Sequence, residues 1–289
     1  MRWLPFVLLL GCSSSDPTPA APADTGAGDS AVDSGGEAAT DTAPKCDPER
    51  TEADRPDDAT GYMVRAFYVL PSDGKDERHD VEGRIAKSIE IWNDWLAKQA
   101  GGKRLRFDTC DGKLDVGFKR LSKTDAEIKA TGAYVREAIE KELAPRGKKI
   151  VAAYYGGGST YSCGGGAWPP ELVGHVAALY LHGTPPGPYP CDAHTLANLD
   201  GGYFEFAMVH EIFHTLGAAA ECAPHHLERG HVSEDPRDLM YRGPEFWKPS
   251  ILDLNRDDYY GHSIPGCLDV AKSVFLDPLP DGAVPPPGW

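Results

Sequence analysis

Between Ser13 and Ala59 this chain has almost nothing to bury, so any folded core must be built from the residues that follow. The segment consists mainly of Ala, Asp, Pro, Thr, Ser and Gly, with 12 acidic side chains against Lys45, Arg50 and Arg55. Too little apolar surface is present to offset the entropy of ordering it. Residues 13–59 are therefore expected to form a disordered acidic spacer, extended by their own repulsion. The spacer carries −9 of the formal −15 of the 289-residue chain; with +1 from Arg2, residues 60–289 hold the remaining −7. A net acidic body with no basic cluster argues against a nucleic-acid partner. No apolar run reaches the roughly 18 residues needed to cross a bilayer.

Met1–Cys12 reads MRWLPFVLLLGC: one positive charge, a short apolar run and a small residue before a cysteine. That is the layout of a secretory signal. Leu9-Leu10-Gly11-Cys12 resembles the bacterial lipobox, which implies cleavage before Cys12 and lipidation of that cysteine. Ser13 in the next position implies sorting to the outer membrane or cell surface. The expectation is an exported bacterial lipoprotein that touches the membrane through its lipid anchor alone. An ordinary signal cut elsewhere, or a buried N-terminal strand, is the alternative. Setting Cys12 aside leaves Cys46, Cys110, Cys163, Cys191, Cys222 and Cys267, an even number in an exported chain, hence three expected disulfides. Their spacing does not select a pairing.

From Gly61 the texture changes. Tyr62–Leu70 (YMVRAFYVL) reads as a strand closed by Pro71-Ser72-Asp73-Gly74. Val81, Ile85, Ile89, Trp92 and Leu96 recur on one face of an amphipathic helix that Gly101-Gly102 ends. Leu105–Asp108 and Leu114–Leu121 look like strands. A second helix, capped by Ser122 or Thr124, buries Ile128, Val135, Ile139 and Leu143 before Pro145 and Gly147. Ile150–Tyr155 and His175–Leu181 are further short strands, while Gly156–Gly158 and Gly164–Gly166 read as a flexible surface loop stapled at Cys163. The expected architecture is α+β: a mixed twisted sheet and two packing helices over residues 60–277. A proline-rich surface tail, 278–289, follows.

The segment that carries chemistry is Phe204–Gly217, FEFAMVHEIFHTLG. His210 and His214 are four residues apart, so on a helix they share one face, with side chains about 5–6 Å apart. Two neutral imidazoles so placed can reach one metal at about 2.0–2.1 Å. Glu211 projects about 100° round the helix, where it can touch a water held by that metal without ligating it. The helix stops at Gly217, and downstream stand Gly230-His231 and Asp238-Leu239-Met240-Tyr241.

HEIFHTLG followed by HVSEDPRDLMY resembles the metzincin zinc endopeptidases, whose pattern is HExxHxxGxxH and then a Met-turn. The segment is also similar to a group of exported bacterial lipoproteins with HTLG, CAPH and DLMY blocks. The resemblance implies a zincin-type domain with an active-site helix, Zn²⁺ on His210 and His214, Glu211 as general base and Met240 in the Met-turn. It departs at Ala220, where the family carries its third histidine. His225, His226, His231 and Asp238 are the candidates to replace it. His231 is favoured, because it precedes Met240 by nine residues in wording close to the matrixin arrangement; His225 is the alternative. That choice needs a long loop, Ala218–Gly230, which a disulfide at Cys222 would pin. The implied activity is endopeptidase cleavage of a protein or peptide substrate by a monomer. The extended substrate would lie antiparallel to an edge strand, for which His175–Leu181 is the candidate. A non-catalytic, metal-containing binding module is the competing class, and a retained Glu211 speaks against it. His175, His182, His194 and His262 read as strand or loop residues rather than ligands.

Overall fold

The computed structural model describes Cys46 and residues 49–289, apart from 146 and 187–189. The signal and lipidation readings at Met1–Cys12, and most of the spacer, lie outside the described residues.

The first strand, β1 (Met63–Leu70), is buried along its whole length, as expected of a strand covered on both faces. It sits inside a five-stranded sheet with β2 (Val116–Arg120), β3 (Lys149–Ser159), β4 (Gly164–Gly165) and β5 (Val176–Gly183), in the order β2-β1-β3-β5-β4. The first four strands in that order are parallel, and β4 runs antiparallel to β5. Alternation along β1 divides the core. Val64, Ala66, Tyr68 and Leu70 join the side chains of α1 (Arg84–Gln99) and α4 (Tyr203–Thr215). Phe67 and Val69 meet Ile128 of α2 (Asp125–Lys129) and Val135 and Ile139 of α3 (Val135–Leu143). The protein is thus a mixed α/β structure, with helices on both faces of a central mixed sheet.

Local chemistry explains where the elements stop. Ile85, Ile89, Trp92 and Leu96 are the buried face of α1, but Val81 precedes the helix and is exposed. The helix begins only after Gly83, which has left-handed backbone angles. The second expected helix is two. Thr124 and Glu127 form a reciprocal capping box that starts α2, and Gly132, at φ +63°, breaks the run before α3. Gly156–Gly158 are the end of buried β3 and Gly164–Gly165 are a sheet edge, not the flexible surface loop expected.

Residues 49–59, assigned to the spacer on composition, lie against the body. Arg50 pairs with Asp76 and with Asp80 and covers the Phe118 ring at 3.6 Å. Arg55 pairs with Asp115, and Lys149 reaches Asp54 and Asp57. This stretch is held by charge and by Cys46–Cys110 rather than by apolar burial, so its composition gives no sign of packing. At the other end, Trp289 packs its ring against His175, Phe275 and Tyr62 at 4.2, 5.2 and 6.2 Å. Cys163–Cys191 and Cys222–Cys267 complete three disulfides, the cross-links of an extracellular or periplasmic protein. Among the described residues no helix is long and apolar enough to cross a membrane.

Candidate metal centre

Helix α4 is apolar on almost every side. Phe204, Met208, Ile212 and Phe213 are buried together. Its start is fixed by buried Glu205, whose carboxylate accepts from the Ser88 hydroxyl at 2.8 Å and from the Ala197 and Gly202 N–H groups at 2.9 and 3.0 Å. Its end is set by Gly217 at φ +84°, whose N–H returns to the His214 carbonyl. A Cβ there would also stand 2.6 Å from Leu268.

This rigid helix presents His210 and His214 with ring centroids 4.5 Å apart. His231, at the start of the short strand β7 (His231–Val232) that pairs with β6 (His226–Leu227), joins them. Its ring lies 4.5 Å from His214 and 5.4 Å from His210. One ring nitrogen from each of the three lies within 4.8 Å of the others. The Nε2 atoms of His214 and His231 stand 3.2 Å apart. His210 Nδ1–H donates to the Leu239 carbonyl at 2.6 Å, and His231 Nδ1–H to the Glu228 carbonyl at 3.0 Å. Those bonds fix the tautomers and leave Nε2 of both rings as a lone-pair donor, as when a carbonyl holds the far nitrogen of a metal-ligating histidine. Burial lowers all three, His210 to about 4, His231 to about 3 and His214 well below the ordinary imidazole range, and repulsion from neighbouring histidines and Arg242 adds to the effect at His214 and His231. They are therefore neutral at physiological pH, the state a metal requires.

The other candidates stand elsewhere. His225 bonds Asp258 through its N–H and Nδ1, at 2.8 and 3.0 Å. His226 Nδ1–H donates to the Ala219 carbonyl. Asp238 shapes the turn before Met240, accepting from the Met240 N–H at 2.8 Å and the Tyr259 hydroxyl at 2.8 Å. Met240 itself is fully buried. The loop from Ala218 to Gly230 is held to the C-terminal region by Cys222–Cys267. His175 packs on Trp289, His182 pairs with Asp192, His194 stacks on Tyr203 and His262 bonds Leu268.

Glu211 retains part of its surface, yet protein crowds its carboxyl. Burial pushes it up to about 8, against the opposing pull of Arg136 and of the Gly166 N–H. Two contacts are not apparent in the sequence. The first is the glycine strand: a Cβ on Gly164 would lie 2.5 Å from Glu211 Oε1, and one on Gly166 would lie 2.5 Å from the Glu211 carbonyl and 2.7 Å from His214 Cβ. Gly166→Ala is expected to lose about 1–3 kcal/mol of stability in chemical denaturation, because neither the helix backbone nor the buried His214 can retreat. The second is Trp247, whose indole N–H donates to the same Leu239 carbonyl that holds His210. Trp247 also forms, with Tyr203, Phe206 and Phe246, one wall of an apolar cavity of about 350 Å³. Strand β5 is paired on both sides, so His175–Leu181 is not a sheet edge; the edge on that side is Gly164–Gly165.

No family model matches the chain, and no curated protein matches it. Among solved structures it is similar to archaemetzincin from Methanopyrus kandleri, with a TM-score of 0.35 and 14% identity over 68% of this chain and 87% of that one. It is also similar to a protein in a chaperone–substrate complex, with a TM-score of 0.29 and 13% identity over 73% of this chain and 32% of the other. Both scores are too low to establish a shared fold.

Proposed function

We propose that this protein is a zinc-dependent endopeptidase. The observation that carries the reading is the convergence of three neutral imidazoles from His210, His214 and His231, two of them locked with Nε2 unprotonated, beside a buried carboxyl on the same helix. Three nitrogen donors with a position left open match the donor set of catalytic zinc sites. A zinc ion held there would polarise a peptide carbonyl and lower the pKa of a water to about 7.

The chain's own residues supply the rest. The charge of a zinc ion bound beside it would hold Glu211 ionised despite its burial, and as a carboxylate it would take the proton of the attacking water and pass it to the leaving amine. The Gly166 N–H favours the charged carboxylate, Gly164 lets the strand approach its oxygen, and Gly166 lets it approach the helix backbone. An extended peptide would pair along the Gly164–Gly165 edge. The cavity of Tyr203, Phe206, Phe246 and Trp247 would take an apolar side chain. The domain works outside the cytoplasm, held to a membrane by a lipid on Cys12.

Incubation of the full chain with a mixed peptide library, read by mass spectrometry, tests this. Cleavage is expected, abolished by a zinc chelator and restored by added zinc. Cleavage indifferent to the chelator would sink the proposal, and retained metal with no cleavage would favour a binding module.

A further inference from the structure

Beyond the three histidines, the segment from 225 to 258 gathers a second group of ionisable side chains. His225, Glu234, Asp257 and Asp258 bring one ligand atom each to within 4.8 Å of one another, and Glu234, Asp238 and Asp253 do the same. Glu234 belongs to both sets. Asp238 and Asp258 are fully buried, and Asp253 is 4% exposed.

Several of these oxygens are engaged. Asp238 accepts from the Met240 and Leu254 N–H groups and the Tyr259 hydroxyl. Asp258 takes the His225 N–H and ring, while one Asp253 oxygen, Oδ2, accepts from the N–H groups of Tyr259 and Tyr260. Three oxygens are not. Glu234 Oε1, Asp253 Oδ1 and Asp257 Oδ1 are each buried with no hydrogen-bond partner among the described residues. Nor does an ion pair with lysine or arginine reach the cluster among those residues; its basic neighbour is His225. Five carboxylates packed with one imidazole, and three of their oxygens left without donors, are a costly arrangement unless a cation completes it.

We infer that these residues form a second metal site, of calcium type, centred on Glu234 and completed by Asp253 and the Asp257–Asp258 pair. The donors are hard oxygens, which suit calcium rather than zinc. Calcium also accepts the six to eight ligands and irregular geometry that a cluster drawn from separate loops offers, whereas magnesium demands a near-ideal octahedron. Burial and mutual repulsion already hold Glu234 and Asp238 up to about 7 and Asp253 to about 6, which shows how poorly the packing alone compensates their charge. The bound ion would join three pieces of chain: the hairpin that carries His231, the turn that Asp238 shapes before Met240, and the loop that ends at Tyr259 and Tyr260. This inference does not depend on the zinc reading.

The test is a calcium chloride titration of the EGTA-treated full chain, by calorimetry and by thermal unfolding. One calcium per chain and a rise of several degrees in Tm are expected. Asp253→Asn and Asp257→Asn should each weaken binding at least tenfold and lose the Tm rise. In EGTA, Asp253→Asn should unfold no earlier than the parent, since it removes a charge while keeping an acceptor for Tyr259 and Tyr260. That control separates loss of a ligand from loss of the fold, and Asp257→Asn, at a less buried position, provides a second check. Absence of any calcium response, or an identical response in the parent and both variants, would overturn the site.

Discussion

Glu211→Gln is expected to leave metal content unchanged and to lower peptide hydrolysis by about 10²- to 10⁴-fold, the usual contribution of a positioned general acid–base group. The substitution is close to isosteric, and the side chain lies close against Gly164, so the neutral amide occupies the same space. It even removes a buried ionisable group whose pKa burial has already raised to about 8, so stability should hold or rise slightly. What it removes is the capacity to accept a proton. Metal analysis and turnover on one peptide, measured on the same preparation, separate the two roles. Full turnover in the variant would show that another group handles the proton.

If the proposed centre holds zinc, His231→Ala is expected to empty it, and His225→Ala to leave it filled. Removing His231 takes away one of three nitrogens, and His210 and His214 alone fall short of the three protein ligands usual in catalytic zinc sites. Among the described residues the other two histidine candidates are engaged elsewhere: His225 by Asp258, and His226 by the Ala219 carbonyl. Metal content after dialysis, by atomic absorption, decides between them. Zinc retained in His231→Ala and lost in His225→Ala would transfer the third position to His225.

Much of this was legible in the sequence because it depends on local periodicity. A four-residue spacing on a helix places His210 and His214 on one face whatever surrounds them. The face of α1 from Ile85 to Leu96, the Thr124 cap and the Gly217 stop are equally local. What escaped was decided by chain segments far apart. That Gly164 and Gly166 press against Glu211 follows from how a sheet edge meets a helix, and a glycine pair in a loop looks the same in sequence. The placement of β5 inside the sheet depends on two neighbouring residues, Gly164 and Gly165, too short a run to read as a strand. The spacer ended late in the sequence reading because hydropathy does not register ion pairs such as Arg55 with Asp115. The disulfide pairing, too, is set by which distant segments meet in the fold.

The Cys222–Cys267 bond divides the metal centre by topology. His210, Glu211 and His214 lie before the ring that it closes, whereas His231, Met240 and every member of the acidic cluster lie within it. A ring of this separation, 45 residues, restricts the unfolded chain by about 4 kcal/mol on the chain-entropy model. Two of the three converging histidines, His210 and His214, therefore come from a helix outside the ring, and the third, His231, from the covalently closed lobe. Reduction of that bond is expected to leave His210 and His214 fixed by the helix and to remove one covalent constraint on the segment that carries His231.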